Sequence, residues 1–161
     1  MSNIETRSLE LRLDDVEERT ITGIAVPYNQ DANIGGMYTE RFAPGAIDSV
    51  EGVKLFYGHN HDSLPIGKLI SGRETDAGYE VTAKLTAGVQ QADETLALMR
   101  DGVLDKFSVG FEPVEQVRDG NTITRTKVLL RELSVVWMPA YSEASITEVR
   151  EESPSEPEIL T

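Results

Sequence analysis

Apolar and polar residues alternate in many short segments of this chain, and one segment has the periodicity of a helix. Alternation at every second residue is typical of a strand with one buried face. In "QQADETLALMRDGVL", Ala92, Leu96, Met99 and Val103 are spaced by 4, 3 and 4 residues, which is one face of a helix. Many short strands and one clear helix predict a mainly β (α+β) fold, a β-barrel or sandwich decorated with a few helices. The helical pattern recurs too rarely for a doubly wound parallel sheet.

Charged or glycine-containing stretches separate the strand-like segments before the helix. "RSLELRL" and "TITGIAVPY" predict one hairpin, and "LPIGKLISGRE" with "GYEVTAKLT" predicts another. "VKLFYGH" predicts a short apolar strand between the two hairpins. The glycine pair and Pro44–Gly45 in "QDANIGGMYTERFAPGAID" favour a loop.

Three strand-like segments follow the helix, which we expect to end at Asp101–Gly102. They are "KFSVGFEPV", "NTITRTKVLL" and "ELSVVWMP". The next segment, "YSEASITEVR", favours a short helix or turn. No linker is evident before residue 148, so we interpret residues 1–147 as one domain and residues 148–161 as a flexible acidic tail.

Composition excludes several classes of function. The net charge of −13 argues against a nucleic-acid binder, because no basic excess is available to displace counterions from phosphates. No apolar run is long enough to cross a bilayer, and the chain has no cysteine for disulfide or thiolate chemistry. We therefore expect a cytoplasmic protein of 161 residues with no membrane or nucleic-acid partner.

The segment around Ser108 draws attention to its outer face. Phe107, Val109 and Phe111 point one way, so Ser108 and Gly110 lie on the opposite face. In the simpler interpretation this face is exposed to solvent. In the functional one, Ser108 is a nucleophile and Gly110 leaves room for a substrate backbone. A serine hydroxyl acts in this way when a neighbouring base takes its proton.

The two histidines of the chain are the candidates for that base. His59 and His61 follow a predicted strand, and an extended backbone would place both rings on one face. One possibility is a metal site completed by Asp62 or by a distant carboxylate, although two ligands alone do not define a site. A second is that one histidine is a general base near neutral pH. A third is an ordinary surface loop.

Glu132 is a carboxylate on a mostly apolar strand face, which we expect it to share with Leu130, Ser134 and Val136. A carboxylate in such a position needs a partner. Spacing alone favours an ion pair with Arg131 or Lys127 at the strand edge. The functional alternative is that the carboxylate accepts a hydrogen bond from a histidine and fixes its tautomer.

Four motifs in order resemble the tailed-phage prohead (procapsid) maturation proteases, which are distant fold relatives of the herpesvirus assemblins. They are "RFAPGAID", "VKLFYGHN…PIGKL", "ALMRDGVLDKFSVGFEP" and "ELSVVWMPAYSEASI", and the resemblance runs from about residue 20 to residue 147. It implies an assemblin-like β-barrel and a serine endopeptidase that works inside the prohead, in the host cytoplasm. Such an enzyme cuts the scaffolding segment from the major capsid protein and usually cuts itself.

Position by position, the resemblance implies that Ser108 is the nucleophile, His59 the base and Glu132 the acidic third member. The second histidine and the spacing to "PIG" leave His61 as a rival for the base. No cofactor is implied. The implied partners are the scaffold segment of the capsid protein and a second copy of the chain, such as in a dimer.

Two functions from other classes stay open at this point. A metallohydrolase using His59 and His61 would lose activity to chelators, whereas a non-catalytic capsid scaffold or assembly module would tolerate Ser108→Ala. The oxyanion donors of a protease are usually backbone N–H groups. The predicted loop around residues 120–127, with Arg125, is a candidate for that role.

Overall fold

The strands found in the chain belong to one curled sheet. A computed structural model of the protein describes residues 12–15 and 19–137. Within them the elements are β1 (Arg12–Asp15), β2 (Thr20–Pro27), β3 (Ala32–Ile34), β4 (Tyr38–Phe42), β5 (Lys54–Tyr57), β6 (Gly67–Glu74), β7 (Gly78–Leu85), α1 (Gln90–Arg100), β8 (Lys106–Asp119) and β9 (Thr122–Val136). The sheet forms a half-barrel, which confirms the mainly β fold. The predicted tail and the segment "YSEASITEVR" lie outside the described residues.

Strand β9 is the organising element of the sheet. The strand order is β1-β2-β7-β6-β5-β9-β4-β3, and β8 pairs with β9 along its length in antiparallel fashion. Because β8 occupies one edge of β9, β4 and β5 share the other edge as parallel neighbours. The β5 strand lies beside the last part of β9, with Lys54 opposite Glu132 and Phe56 opposite Ser134. This arrangement brings the end of β5 close to the start of β8.

The core lies on the inner face of the curled sheet. Phe107, Val109, Leu133 and Val135 are at most 1% exposed and belong to one apolar cluster. The hairpins β1–β2 and β6–β7 are antiparallel pairs, as the alternation predicts. Within residues 19–137, no helix has the length and apolar character needed to span a membrane.

Helix α1 confirms the predicted helix except at its last position. Ala92, Leu96 and Met99 are buried in the core, as the spacing predicts. Val103 is 53% exposed, so its predicted place on the buried face is wrong. The reason is that the helix ends at Arg100 and Gly102 turns the chain with a φ of +78°.

The stretch predicted as a loop between β2 and β5 contains the hairpin β3–β4. Its strands are short, but Ile34 and Phe42 are buried. Gly35 and Gly36, with φ of +60° and +73°, form the turn between the strands. The two glycines therefore mark a reversal of the chain within a hairpin, and the prediction of a loop is wrong here.

The last two predicted strands are one continuous strand, β9, and a bulge changes the direction of its side chains. Gly110 lies opposite Glu132, whereas Phe111 lies opposite Leu130, so Arg131 is the extra residue. One extra residue moves all following side chains to the other face. Leu130 therefore faces the core and Glu132 faces outward, and the predicted shared face of these two residues is wrong.

Candidate active site

Ser108 lies on the outer face of β8, directly opposite Ser134 of β9. The alternation predicted for this strand is confirmed, because Phe107 and Val109 on either side of Ser108 are buried in the core. Ser108 nevertheless has no exposed surface. The interpretation of this face as a solvent face is therefore wrong, because residues of the turn after β5 lie over it.

The turn after β5 directs His59 back toward β8 and β9. Gly58 and His59 both have left-handed backbone conformations, with φ of +64° and +59°. The N–H of Gly58 donates to the carbonyl of Val135 at 3.0 Å, and the N–H of His59 donates to Oγ of Ser134 at 2.9 Å. A non-glycine residue in this conformation is uncommon and costs backbone strain. These two hydrogen bonds hold the strained turn in place, so the backbone at His59 is not extended as predicted.

The side chain of His59 contacts both other predicted site residues. Its Nε2 is 2.6 Å from Oγ of Ser108, and its Nδ1 is 2.5 Å from Oε2 of Glu132. An ionised carboxylate has no proton to donate, so Nδ1 carries the hydrogen of the second contact. Nε2 of the neutral ring is then free to accept the hydroxyl proton of Ser108. The structure thus brings Ser108, His59 and Glu132 together in one connected chain of contacts.

Glu132 is a buried carboxylate, 6% exposed, with several donors around it. The hydroxyl of Ser134 donates to its Oε1 at 2.9 Å, and Nε2 of His61 lies 3.6 Å from the same oxygen. Burial raises the pKa of Glu132, but the neighbouring imidazoles of His59 and His61 outweigh burial and lower that pKa to about 2. The carboxylate is therefore ionised at neutral pH.

The alternative ion pairs of Glu132 are not formed. Arg131 pairs with Glu112 at 2.7 Å, and Lys127 pairs with Asp48 at 3.0 Å. Arg131 is the bulge residue itself, and Lys127 lies beyond the bulge from Glu132. The side chains of both cations therefore point away from the carboxylate.

Gly110 leaves room for the carboxylate of Glu132. A Cβ atom at this position would lie 2.6 Å from Oε2 and 3.0 Å from Cγ of Glu132. The expectation that Gly110 makes space for a substrate backbone is therefore wrong, because the space is already filled. The sequence reasoning missed the contacts of Ser134 with the site and mistook the role of Gly110. The sequence signal was their spacing: Gly110 lies two residues after Ser108 and Ser134 lies two residues after Glu132, so each pair is expected to share a strand face.

The comparison with known proteins shows the family of the chain. A family model described as caudovirus prohead serine protease matches residues 2–157. The chain belongs to this family. No solved structure matches the chain significantly.

Three curated relatives of this member of the prohead protease family carry informative names. A capsid polyprotein of Pseudomonas phage PAJU2 is 29% identical over 89% of this chain and 22% of its own length. A prohead protease of Enterobacteria phage HK97 is 29% identical over 84% of this chain and 62% of its own. A prohead protease of Escherichia phage T5 is 33% identical over 56% of this chain and 43% of its own. The chain thus spans less than two thirds of the length of each relative.

Arg125 does not lie near Ser108 in this prohead protease family member. Its guanidinium pairs with Glu40 at 2.8 Å and donates to Gln116 at 3.2 Å. Gln116 is on the same strand as Ser108 but 8 residues further along. At about 3.3 Å per residue, the two positions are about 26 Å apart along the strand. The proposal of Arg125 as an oxyanion donor is therefore wrong, and residues 122–127 belong to a strand.

Proposed function

We propose that this chain is a Ser-His-Glu endopeptidase of phage head maturation. It cleaves the scaffolding segment of the major capsid protein inside the prohead, and it cleaves itself. The observation that carries the proposal is the continuous set of contacts from Oγ of Ser108 through His59 to the buried carboxylate of Glu132. Membership of the family supports a serine peptidase. The endopeptidase activity and the capsid-protein substrate are what we propose beyond that.

The geometry suits acyl transfer through a covalent intermediate. As Oγ of Ser108 bonds to the scissile carbonyl carbon, Nε2 of His59 takes the hydroxyl proton. The imidazolium formed on His59 is stabilised by the ionised carboxylate of Glu132, which is already in contact with Nδ1. His59 then donates the proton to the leaving amine, and water releases the acyl group by the same steps in reverse. Because Ser108 is fully buried, a peptide reaches Oγ only when the residues of the turn after β5 that lie over it move aside.

The names of the relatives support the choice of substrate. Two are called prohead proteases, and one is a capsid polyprotein that is similar to this chain over about a fifth of its own length. A protease-like segment within a capsid polyprotein favours cleavage of capsid protein by the attached or co-packaged protease. A second copy of the chain is a further partner, since self-cleavage between copies requires two of them to meet.

The metallohydrolase alternative has one observation in its favour. His59, His61 and Glu132 offer ligand atoms that all lie within 4.8 Å of one another. It gives no role, however, to the 2.6 Å contact between His59 and Ser108. A serine protease uses that contact directly, so the serine mechanism accounts for more of the site.

The test is co-expression of the chain with its capsid protein, followed by intact-mass measurement. We expect truncated capsid protein with the native chain and uncut capsid protein with Ser108→Ala or His59→Ala. Ser71→Ala, which changes an exposed serine of β6, is the matched control and should process normally. Normal processing by Ser108→Ala would refute the proposal and favour a scaffold module. Loss of processing on adding a chelator, with resistance to serine-directed phosphonates, would favour the metallohydrolase.

A further inference from the structure

We infer that His59, His61 and Glu132 form a binding site for Zn²⁺ or a similar divalent transition-metal ion, and that the bound ion blocks the protease. The three side chains hold one ligand atom each within 4.8 Å of the others. Two imidazoles and one carboxylate are a ligand set that Zn²⁺ uses in sites that keep an open fourth position. The binding half of the inference is independent of the proposed function, and the blocking half rests on it.

The carboxylate ligand is already held in place. Glu132 is buried and ionised, and the hydroxyl of Ser134 and the ring of His59 fix its orientation. A metal ligand needs this kind of support from its neighbours. The ion would therefore meet a carboxylate of fixed orientation, and the ring of His59 has to move away from Oε2 to bind beside it.

His61 is the ligand that can move to complete the site. Its side chain is 57% exposed, and its Nε2 lies 3.6 Å from Oε1 of Glu132. Zinc bonds to histidine nitrogen and carboxylate oxygen are about 2.0–2.2 Å long. Two ligand atoms bound to one tetrahedral ion at that length lie about 3.4 Å from each other, so the exposed ring of His61 needs only a small shift to bind. The ring of Phe56 packs edge-on against His61, with centroids 5.1 Å apart, and limits the orientations of His61.

Metal binding removes the base of the proposed triad whichever nitrogen of His59 is used. If the ion binds Nδ1, the single proton of the neutral ring moves from Nδ1 to Nε2. Nε2 then has no lone pair for the hydroxyl proton of Ser108. If the ion binds Nε2, it occupies that lone pair directly, and the ring proton stays on Nδ1. In both cases the ring keeps its one proton, and Ser108 is not activated.

The binding half is tested by titrating ZnCl₂ into the full chain in a calorimeter. We expect one ion per chain, with binding at least tenfold weaker in His61→Ala. Asp62→Ala, which changes the exposed neighbour of His61, is the control and should bind as the native chain does. Absence of binding to the native chain, or equal affinity in His61→Ala, would overturn the site.

The blocking half is tested by capsid-protein cleavage, with each variant compared with its own metal-free rate. Zn²⁺ should inhibit the native chain, EDTA should restore it, and His61→Ala should need at least tenfold more Zn²⁺ for the same inhibition. Zinc binding without inhibition would overturn the blocking half alone. Absence of cleavage in the metal-free chain would refute the proposed function and the blocking half with it, while the calorimetry still decides the site.

A separate observation concerns the outer face of the strands beside the site. Lys54, Lys68 and Lys84 lie directly opposite one another on β5, β6 and β7 and form what we call the lysine row. Lys54 is in turn opposite Glu132, so the lysine row is in line with the site. All three lysines are exposed, and no carboxylate of the described residues forms a salt bridge with them. Like charges directly opposite one another destabilise a sheet, so the lysine row lowers the stability of the folded protein.

We propose that the lysine row binds acidic side chains of the substrate peptide, and this rests on the proposed function. A cavity of about 560 Å³ lies beside Lys54 and Lys68 and is also lined by residues 49–53. Neighbouring strands are about 4.8 Å apart, so β5 and β6 lie roughly 10 and 15 Å from the strand of Ser108. An extended peptide advances about 3.3 Å per residue. Acidic residues three to five positions from the scissile bond would therefore reach the row.

The probe for this surface is fluorescein-labelled hexaglutamate, measured by fluorescence anisotropy against full-length Ser108→Ala. We expect binding that weakens at least tenfold when Lys54→Gln and Lys68→Gln are combined. The matched control combines Arg73→Gln and Lys127→Gln, which removes the same charge from two exposed ion pairs. Equal weakening in both double variants, or no binding at all, would overturn the surface. Because cleavage is not measured, this result is separate from the fate of the proposed function.

Discussion

Two carboxylates of the described residues are buried against β9, and their partners differ in kind. Glu40 is 3% exposed and pairs with the guanidinium of Arg125, whereas Glu132 is 6% exposed and pairs with the imidazole of His59. A guanidinium keeps its proton at any working pH, so the first pair has one state. An imidazole gains and loses a proton near neutral pH, so the second pair can take part in proton transfer. The two carboxylates are therefore similarly buried, but only the pair of Glu132 and His59 can take part in proton transfer.

The partners of the two pairs extend the contrast. Arg125 also donates to Gln116 and lies over the ring of Phe111, which ties β4, β8 and β9 together. His59 instead continues to a hydroxyl, that of Ser108. The pair with Arg125 holds strands in register, and the pair with His59 connects a carboxylate to the hydroxyl of Ser108.

The largest effect should follow from breaking the structural pair. Arg125→Met leaves the carboxylate of Glu40 buried without its cation, and we expect the free energy of unfolding to fall by about 3–5 kcal/mol. The cleavage rate per folded molecule should stay within a few-fold of the native rate. Urea unfolding and cleavage assays measure the two quantities. Arg131→Met, which breaks an exposed pair, should cost less than about 1 kcal/mol. If Arg125→Met lowered the cleavage rate strongly without lowering stability, the pair of Glu40 and Arg125 would not differ from the pair of Glu132 and His59 in the way proposed.

A smaller effect, on activity, is expected for Glu132→Gln. The variant keeps the shape of the side chain but removes the charge that stabilises the imidazolium of His59. We expect the turnover of capsid protein to fall by roughly 10²–10³, less than the roughly 10⁴ known for the comparable change in a Ser-His-Asp triad. Glu112→Gln, at an exposed ion pair of β8, is the matched control. A loss below tenfold would show that Ser108 and His59 act without the carboxylate.

Gly110→Ala should give the next effect, because the added Cβ displaces the carboxylate of Glu132. We expect a loss of turnover of roughly tenfold or more, with the protein still folded. The same substitution in a Glu132→Ala background should have little further effect, since no carboxylate remains to be displaced. Equal losses in both backgrounds would mean that Gly110 acts on something other than Glu132.

The smallest expected effect is the contribution of the Glu132 charge to the pH dependence of the free energy of unfolding. The pKa of Glu132 is lowered in the folded protein to about 2 from an ordinary 4.5. The stabilisation due to its charge is therefore complete above pH 4.5 and is lost as the pH falls toward 2. Urea unfolding from about pH 6 down to pH 2 should show the native chain and Glu132→Gln converging toward acid. A difference between the two that stays unchanged down to pH 2 would contradict the lowered pKa.

The sequence predicts those parts of the site that depend on local pattern. Alternation around Ser108 identifies its face, and the order of motifs places His59 and Glu132 in the site. The sequence does not reveal which residue Glu132 contacts, because that depends on the pairing of β5 with β9 far along the chain. The bulge at Arg131, which turns Glu132 away from Leu130, has no signal in the alternation itself. The same non-local register explains why the roles of Gly110 and Arg125 were mistaken.

The activation of Ser108 by His59 can be measured by the rate at which a fluorophosphonate labels the chain, followed by peptide mass mapping. We expect the native chain to be labelled at Ser108 and His59→Ala to be labelled at least 10²-fold more slowly. Arg125→Met, when folded, should be labelled at nearly the native rate. Labelling of His59→Ala at the native rate, or labelling at a residue other than Ser108, would contradict the activation of Ser108 by His59.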